Sequence, residues 1–223
     1  MQHDRIFANN KAEVSGEIAT ALKFSHEVYG EGFYNFSLEV PRLSDALDIL
    51  PVTVSERLID KEMLLVGTPV RIAGQIRSYN NFLEGDKRNK LVLTLFAREI
   101  ETLTEPIGKN PNSVYLNGFI CKNPVYRSTP FGREIADILF AVNRSYNKSD
   151  YIPCIAWGRN ARFAGKLSVG DNMELWGRMQ SRNYQKKYED GTVEERTAYE
   201  ISISQIEYCQ KDTPQDPMDG QNG

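Results

Sequence analysis

Hydrophobic and polar positions alternate along much of the chain, a pattern typical of β-strands that are buried on one face. The alternation is clearest over residues 151–157, where the odd-numbered positions begin with Tyr151 and end with Trp157. The apolar segment 138–144 precedes this stretch, and a polar Asn-Lys-Ser-Asp turn joins the two. The pattern therefore predicts a β-hairpin, one face of which is aromatic at both ends.

The same arrangement of residues occurs twice in the chain. Gly16 and Gly118 lie in the matching segments AEVSGEI and VYLNGFI and are 102 residues apart. Four more pairs keep this spacing: Val40 and Val142, Arg42 and Arg144, Asp48 and Asp150, Pro51 and Pro153. After one inserted residue the spacing becomes 103, in the pairs Gly67 and Gly170, Gly74 and Gly177, Ser78 and Ser181. The chain is therefore predicted to hold two copies of one structural unit.

Each copy is predicted to form five strands, with a short helix between strands three and four. The predicted strands of the second copy are 114–121, 134–144, 151–157, 172–184 and 196–208, and its helix is 160–167. Those of the first copy are 12–19, 33–42, 51–55, 69–79 and 90–101, and its helix is 56–64. The last hairpin of each copy has a Gly-containing turn, at 84–86 and 189–191.

Five short strands with a helix between the third and the fourth match the OB architecture, a five-stranded Greek-key barrel. The predicted fold is therefore all-β, with two tandem OB-fold barrels. The first unit is predicted to span residues 1–104 and the second unit 112–208, with a linker at 105–111 that contains two prolines. The segment 209–223 has too little apolar content to order itself and is predicted to be a disordered tail.

Composition excludes several classes of protein. With 40% hydrophobic residues in 223, the chain can build cores, yet no apolar run approaches the roughly 20 residues that span a bilayer. The first residues, MQHDRIFANNK, lack the apolar region of a secretory signal, so we expect a cytoplasmic protein that does not associate with membranes.

Candidate catalytic and metal-binding chemistry is sparse. The three cysteines form no C-x-x-C pair, and neither His3 nor His26 has a second ligand at metal-binding spacing. The paired carboxylates at 189–190 and 194–195 lie in a charged turn and are expected to be solvated. The sequence therefore predicts a protein that is not an enzyme and needs no cofactor or metal.

Charge is distributed unevenly between the two units. The whole chain has a net charge of −3, residues 9–101 contain 11 basic and 14 acidic side chains, and residues 112–208 contain 13 basic and 11 acidic ones. In the predicted hairpin of the second unit, Tyr146 and Tyr151 are interleaved with Arg144 and Lys148, a combination that can stack bases and hold phosphates. The second unit is thus the better candidate partner of a nucleic acid.

Several motifs of the second unit resemble the bacterial single-stranded-DNA-binding protein family. In order along the chain they are NSVYLNG at 112–118, Asn-Pro at 123–124, TPFG at 129–132, AVNR at 141–144, Gly-Asp at 170–171 and GRMQSRNY at 177–184. Each motif is weak alone, and the resemblance rests on their order and spacing. The first unit is similar to a diverged copy of the same module.

The resemblance implies that bases stack on aromatic side chains of the strand 2–3 hairpin, strand 3 and the strand 4–5 hairpin. The residues at these places are Tyr146, Tyr151, Trp157 and Tyr184. Trp176, beside Gly177, is a further candidate, for which a place in the core is the alternative. The candidate phosphate contacts are Arg144, Lys148, Arg159, Arg178, Arg182, Lys186 and Lys187, and the alternative for these is a solubilising rim.

The first unit departs from the family pattern, because Ser44, Ile49 and Ser55 stand opposite Tyr146, Tyr151 and Trp157. We therefore expect it to serve mainly as a pairing partner of the second unit. Its candidate weaker contacts are Arg42, Arg71, Arg77 and Tyr79. The units could pair within one chain or through a homodimer, and the sequence does not choose between these arrangements.

The leading hypothesis is sequence-independent binding of single-stranded DNA in replication, recombination or repair. The alternatives are an OB-fold adaptor that binds proteins of a replication or phage complex, and an OB protein that binds RNA, since stacking does not distinguish the sugar. Family members usually recruit replication and repair proteins through an acidic tail with an apolar tip. The segment 209–223 has only three acidic residues and ends in Gly-Gln-Asn-Gly, so recruitment by that route is not expected.

Overall fold

The computed structural model describes residues 9–44, 46–60, 64–81, 90–108, 111–188 and 190–209. The predicted turn at 84–86, the end of the first predicted helix and nearly all of the predicted tail lie outside these ranges. Within them, no helix is long and apolar enough to cross a bilayer.

The two units have the same order of elements. The strands of the first unit are β1 (Asn10–Ile18), β2 (Lys23–Val28), β3 (Glu31–Pro41), β4 (Leu47–Ser55), β5 (Pro69–Asn81) and β6 (Lys90–Thr102). Those of the second unit are β7 (Asn112–Ile120), β8 (Val125–Ser128), β9 (Glu134–Asn143), β10 (Ser149–Trp157), β11 (Asn172–Lys187) and β12 (Val193–Tyr208). A 3₁₀ turn at Glu56–Leu58 follows β4, and the helix α1 (Gly158–Ala164) follows β10.

Five strands of each unit close into a barrel. In the first unit β1 pairs with β5 and, at its C-terminal end, with β3, while β4 pairs with β6 in parallel. The strands β7, β9, β10, β12 and β11 repeat this ring in the second unit. Inward-facing side chains such as Leu38, Val52, Phe140 and Ile152 are completely buried. The predicted fold, two tandem OB barrels, is thus confirmed.

The glycines that align between the two copies close the barrels. A Cβ atom on Gly118 would lie 2.1 Å from the carbonyl oxygen of Ala141, and one on Gly16 would lie 2.3 Å from that of Glu39. These are the places where strand one of each barrel passes from one neighbouring strand to the other. Only glycine lets the backbones approach so closely.

Two features differ from the prediction. Each barrel carries an extra edge strand, β2 or β8, whose residues are all exposed and which pairs on one side only. Such strands have no buried face and so give no hydrophobic alternation. The first predicted helix is only a 3₁₀ turn in the described residues, where the Ser55 hydroxyl accepts from the Arg57 amide and Ile59 is extended. The alanine-containing segment after β10 forms the α-helix instead.

The two barrels are joined within the chain by their first strands. Strand β1 pairs antiparallel with β7, from Asn10 opposite Leu116 to Val14 opposite Asn112. This pairing makes a single sheet of twelve strands out of the described residues. It also protects one edge of each barrel, since both first strands would otherwise expose unpaired backbone groups.

A buried carboxylate of the first unit forms a second joint. Asp48, on β4, is 1% exposed, and Arg42 donates to its two oxygens over 2.6 and 2.8 Å. From the second unit, the Ser181 amide donates to it over 2.7 Å and Arg178 over 3.1 Å. Each oxygen of Asp48 therefore has partners in both units.

The counterpart of Asp48 repeats this joint in the opposite direction. Asp150, on β10, is completely buried and accepts from Arg144 of its own unit over 3.3 Å. From the first unit, the Ser78 amide donates to it over 2.7 Å and Arg77 over 3.2 Å. The Tyr151 amide in turn donates to the Ser78 hydroxyl over 2.7 Å. The two joints are therefore related by an approximate twofold axis, as the repeat would require.

We expect Asp48→Ala to lower the free energy of unfolding by about 3–5 kcal/mol, because it leaves Arg42 and Arg178 without their carboxylate. Urea denaturation measures this loss. The matched control is Asp137→Ala, which removes an exposed ion pair with Arg127 and should cost less than about 1 kcal/mol. A loss of stability in Asp48→Ala as small as that in Asp137→Ala would show that the joint does not contribute to stability.

The described cysteines Cys121, Cys154 and Cys209 form no disulfide, and Cys154 is buried in the second barrel. Burial raises the pKa of the Cys154 thiol, so little of the reactive thiolate forms. We expect an aromatic disulfide reagent to titrate at most two thiols in the native protein and three in denaturant. A Cys154→Ser variant should leave the native count unchanged; a lower native count would contradict the burial of this thiol.

Candidate nucleic-acid interface

The turn between β9 and β10 presents Tyr146 to solvent. The Arg144 amide donates to the Lys148 carbonyl over 2.7 Å, and Tyr146 and Asn147 both adopt positive φ angles, 61° and 54°. This tight turn directs the Tyr146 side chain away from the barrel, and the residue is 93% exposed to solvent. An aromatic ring so exposed is available to a flat ligand.

Strand β10 carries two more exposed aromatics on its outer face. Tyr151 is 48% and Trp157 is 39% exposed, while Ile152 and Ala156 of the inner face are completely buried. Ile155 differs from its expected outer position, since it is only 5% exposed. At about 3.3 Å per residue, the two rings are attached roughly 20 Å apart along the strand. Core packing on the opposite face thus holds them in position.

Tyr184 lies on the long β11–β12 hairpin, among stacked cations. The guanidinium of Arg182 lies 5.7 Å from the Tyr184 ring centre, and Lys186 lies 4.5 Å from that of Tyr188. Arg196 and the Tyr188 hydroxyl both bond to Glu194, which lowers the pKa of that carboxyl to about 2. Tyr188 was not among the predicted site residues. These contacts order the hairpin while leaving Tyr184 37% exposed.

Trp176 lies on β11 and packs on the first strand of its own unit. Its ring packs on Tyr115 of β7, with 5.4 Å between the ring centres. Burial and a hydrogen bond to Glu174 raise the pKa of Tyr115 to about 12. Trp176 is half-buried, and its contact with bases stays a prediction.

The predicted phosphate contacts fall into two groups. Arg144 and Arg178 are bound to the buried carboxylates of the two joints. The remaining five lie on the second unit outside the joints, four of them exposed and Lys186 half-buried: Lys148, Arg159, Arg182, Lys186 and Lys187. Two of the seven predicted cations are thus bound in the joints, and the other five lie close in sequence to the exposed aromatic residues.

The candidate contacts of the first unit also have partners. Arg42 is bound to Asp48, and Arg71 pairs with Glu13 and Glu101 on the surface. Arg77 is bound to Asp150. Tyr79 is 47% exposed.

A groove of about 450 Å³ lies on the first unit, at the joint formed by Asp150. Six of its lining side chains are cationic or aromatic: His26, Arg77, Tyr79, Phe96, Arg98 and Arg144. Sequence analysis did not select His26, Phe96 or Arg98. These residues give only a weak sequence signal because they are far apart in the chain. The first unit also lacks counterparts of Tyr146 and Tyr151, which favoured a pairing role for it.

Comparison with known proteins assigns the second unit to a family. The model of the "Single-strand binding protein family" matches residues 111–209. "Single-stranded DNA-binding protein 1" of Staphylococcus aureus is 37% identical over 83 residues, which are 34% of this chain and 50% of that protein. "Single-stranded DNA-binding protein A" of Bacillus subtilis is 36% identical over 83 residues, 34% of this chain and 48% of that protein. The chain thus spans about half the length of the curated relatives it matches.

A solved structure resembles the chain over both units. The wild-type single-stranded DNA binding protein from Thermus aquaticus superimposes with a TM-score of 0.73 at 19% identity, covering 93% of this chain and 96% of that one. At this identity the likeness establishes the fold alone. The resemblance indicated by the sequence motifs is thereby confirmed: residues 111–209 match the single-strand binding protein family, and the chain has the fold of two tandem OB units.

Proposed function

We propose that this protein binds single-stranded DNA without sequence preference, by stacking bases on aromatic rings and neutralising phosphates with nearby cations. The observation that carries the proposal is the set of four exposed aromatics on one unit: Tyr146, Tyr151, Trp157 and Tyr184. An exposed ring on a rigid strand or hairpin can stack on any base, because every base has a flat π face.

The placement of these rings supports the proposal. Tyr151 and Trp157 lie on the outer face of a strand whose inner face is fully packed, so they lose little freedom when a base stacks. Tyr146 and Tyr184 lie on the two hairpins that border such a strand in an OB barrel. Each stacked base would contribute about 1–3 kcal/mol.

Charge supports the same conclusion locally, although the whole protein carries −3. Arg159 follows Trp157 directly after Gly158, and Arg182 lies against Tyr184. Affinity for a polyanion depends on the cations at the contact surface more than on the net charge. We propose that Lys148, Arg159, Arg182, Lys186 and Lys187 contact the DNA backbone.

In this proposal the protein is a non-enzymatic, cytoplasmic partner of DNA replication, recombination or repair that works without a cofactor. The described residues contain no group of three or more His, Cys, Asp and Glu side chains placed to hold a metal ion. Stacking and phosphate contacts require no metal. The names of the curated relatives support the DNA-binding role.

We expect the double variant Trp157→Ala, Tyr184→Ala to bind oligo-dT with a binding free energy weaker by about 2–6 kcal/mol, since each base platform contributes about 1–3 kcal/mol. Fluorescence anisotropy of a labelled oligomer measures the affinity. The matched control is Tyr208→Ala, an exposed tyrosine of the same unit that packs on Phe163 of α1. Unchanged affinity in the double variant would contradict the proposal.

The two tryptophans allow the site to be located. We expect oligo-dT to quench the fluorescence of a Trp176→Phe variant strongly, because Trp157 then reports alone, and to quench a Trp157→Phe variant weakly. The apparent affinity should fall as salt rises, with a slope of about −0.7 per phosphate neutralised. Strong quenching only in the Trp157→Phe variant would place the DNA on the Tyr115 side of the sheet instead.

The same titrations separate the alternatives. Binding of an RNA oligomer as tight as that of DNA of equal length would favour an RNA-binding role. Failure to bind either, together with recovery of a replication protein from a nuclease-treated lysate, would favour the adaptor.

A further inference from the structure

We propose that Arg77, Arg98 and Arg144 form a phosphate-binding site in the groove of the first unit, which holds the backbone of the same single strand. This inference rests on the proposed function and assigns a direct contact to the unit that sequence analysis treated mainly as a pairing partner. We call these three residues with Phe96 and His26 the arginine groove.

The three guanidinium groups converge on one groove from three strands. Arg77 and Arg98 come from β5 and β6 of the first unit, and Arg144 reaches in from the end of β9 in the second unit. Arg98 lies 4.9 Å from the centre of the Phe96 ring, and Arg77 lies 5.9 Å from it. The shared ring therefore keeps two of the cations beside one another.

Positive charge exceeds negative charge in this groove. Asp150 accepts one bond from Arg77 and one from Arg144, so a single carboxylate serves two of the three cations. Glu31 attracts Arg98, but its carboxylate is also bound to Ser55 and Arg57. Burial, followed by repulsion from Arg144, lowers the pKa of both Arg77 and Arg98. An anion bound between the arginines would relieve this repulsion.

The residues at the equivalent place in the second unit are different. In the strand pairing, Gln180, Glu200 and Ser204 occupy the places of Arg77, Thr94 and Arg98. The Gln180 amide there donates to Glu200 over 2.7 Å, and Arg182 pairs with Glu200 over 3.7 Å, so a carboxylate offsets part of the positive charge at this place. A general requirement of the barrel or of the joint would produce the same residues in both units. The excess of arginine therefore points to a ligand.

Arg144 holds its aspartate less closely than Arg42, its counterpart in the first unit, holds Asp48. Arg42 binds Asp48 through two short bonds, of 2.6 and 2.8 Å, whereas Arg144 holds Asp150 through one bond of 3.3 Å. A guanidinium has five donors in a planar fork that suits phosphate. Arg144 thus keeps donors for a phosphate while it stays attached to the joint.

The shape of the groove favours a strand over a compact ion. The groove shares Tyr79, Asn35 and Thr94 with a neighbouring cavity of about 420 Å³, so the two continue along the first unit. At its other end Ser78 bonds to the Tyr151 amide, next to one of the proposed base platforms. A strand that stacks on Tyr151 can therefore continue across the joint into the arginine groove.

The test compares Arg98→Gln with Arg127→Gln, a matched loss of charge at an exposed arginine of β8 that lies outside the groove and outside the predicted contacts. An OB fold covers about 4–16 nucleotides, so a dT oligomer of about 8 fits one unit and one of about 30 spans both. For the long oligomer we expect Arg98→Gln to lower affinity by about tenfold and the salt slope by about 0.7, the loss of one phosphate. Arg127→Gln should change neither.

Two more variants separate charge from folding. Arg98→Lys should retain the salt slope because it keeps the charge, and Phe96→Leu should lower affinity because it removes the ring beneath Arg98. The melting temperature of each variant shows whether it is folded. If Arg98→Gln and Phe96→Leu both bind the long oligomer like Arg127→Gln, the arginine groove is not a phosphate site.

The short oligomer distinguishes this failure from a failure of the proposed function. If the wild type binds it through Trp157 and only the Arg98 result is negative, the inference falls while the proposed function stands. If the wild type binds neither oligomer, both are overturned.

Discussion

The architecture depends on two buried carboxylates, Asp48 and Asp150, each shared between the two barrels. A buried charge is costly unless ionic and hydrogen-bonding partners surround it, and for each aspartate two of the three partner residues described belong to the other unit. Neither barrel can satisfy its own aspartate alone. The pairing of β1 with β7 adds directional backbone bonds, so the two barrels are held in one relative orientation.

This constraint gives several cations a structural role before any functional one. Arg42 and Arg178 share Asp48, as Arg77 and Arg144 share Asp150. The surroundings of the two joints differ, since a third arginine, Arg98, lines the groove beside Asp150, whereas Glu200 lies beside Gln180 at the equivalent place. Two joints of the same design thus have different charges beside them. A duplicated unit can in this way carry a different chemical property in each copy.

The joint also connects the two candidate surfaces. Ser78 donates its backbone amide to Asp150 and accepts the Tyr151 amide at its hydroxyl. The strand that carries two exposed aromatic rings is therefore fastened to the wall of the arginine groove. The exposed rings lie on one side of the Asp150 joint and the arginines on the other. A flexible polyanion that binds both loses little conformational entropy, because the protein surface is already ordered.

The sequence by itself determined the fold and the aromatic strand. The repeat spacing and the alternation over β10 depend on short-range order, and the glycines at 16 and 118 mark where the barrels close, so two OB units could be predicted from local patterns. Only the tertiary structure decided which arginines are bound to a carboxylate, where Trp176 packs and that Arg98 and Phe96 share a groove with Arg144. Those contacts join residues far apart in the chain, and charge pairing leaves no periodic trace in a sequence.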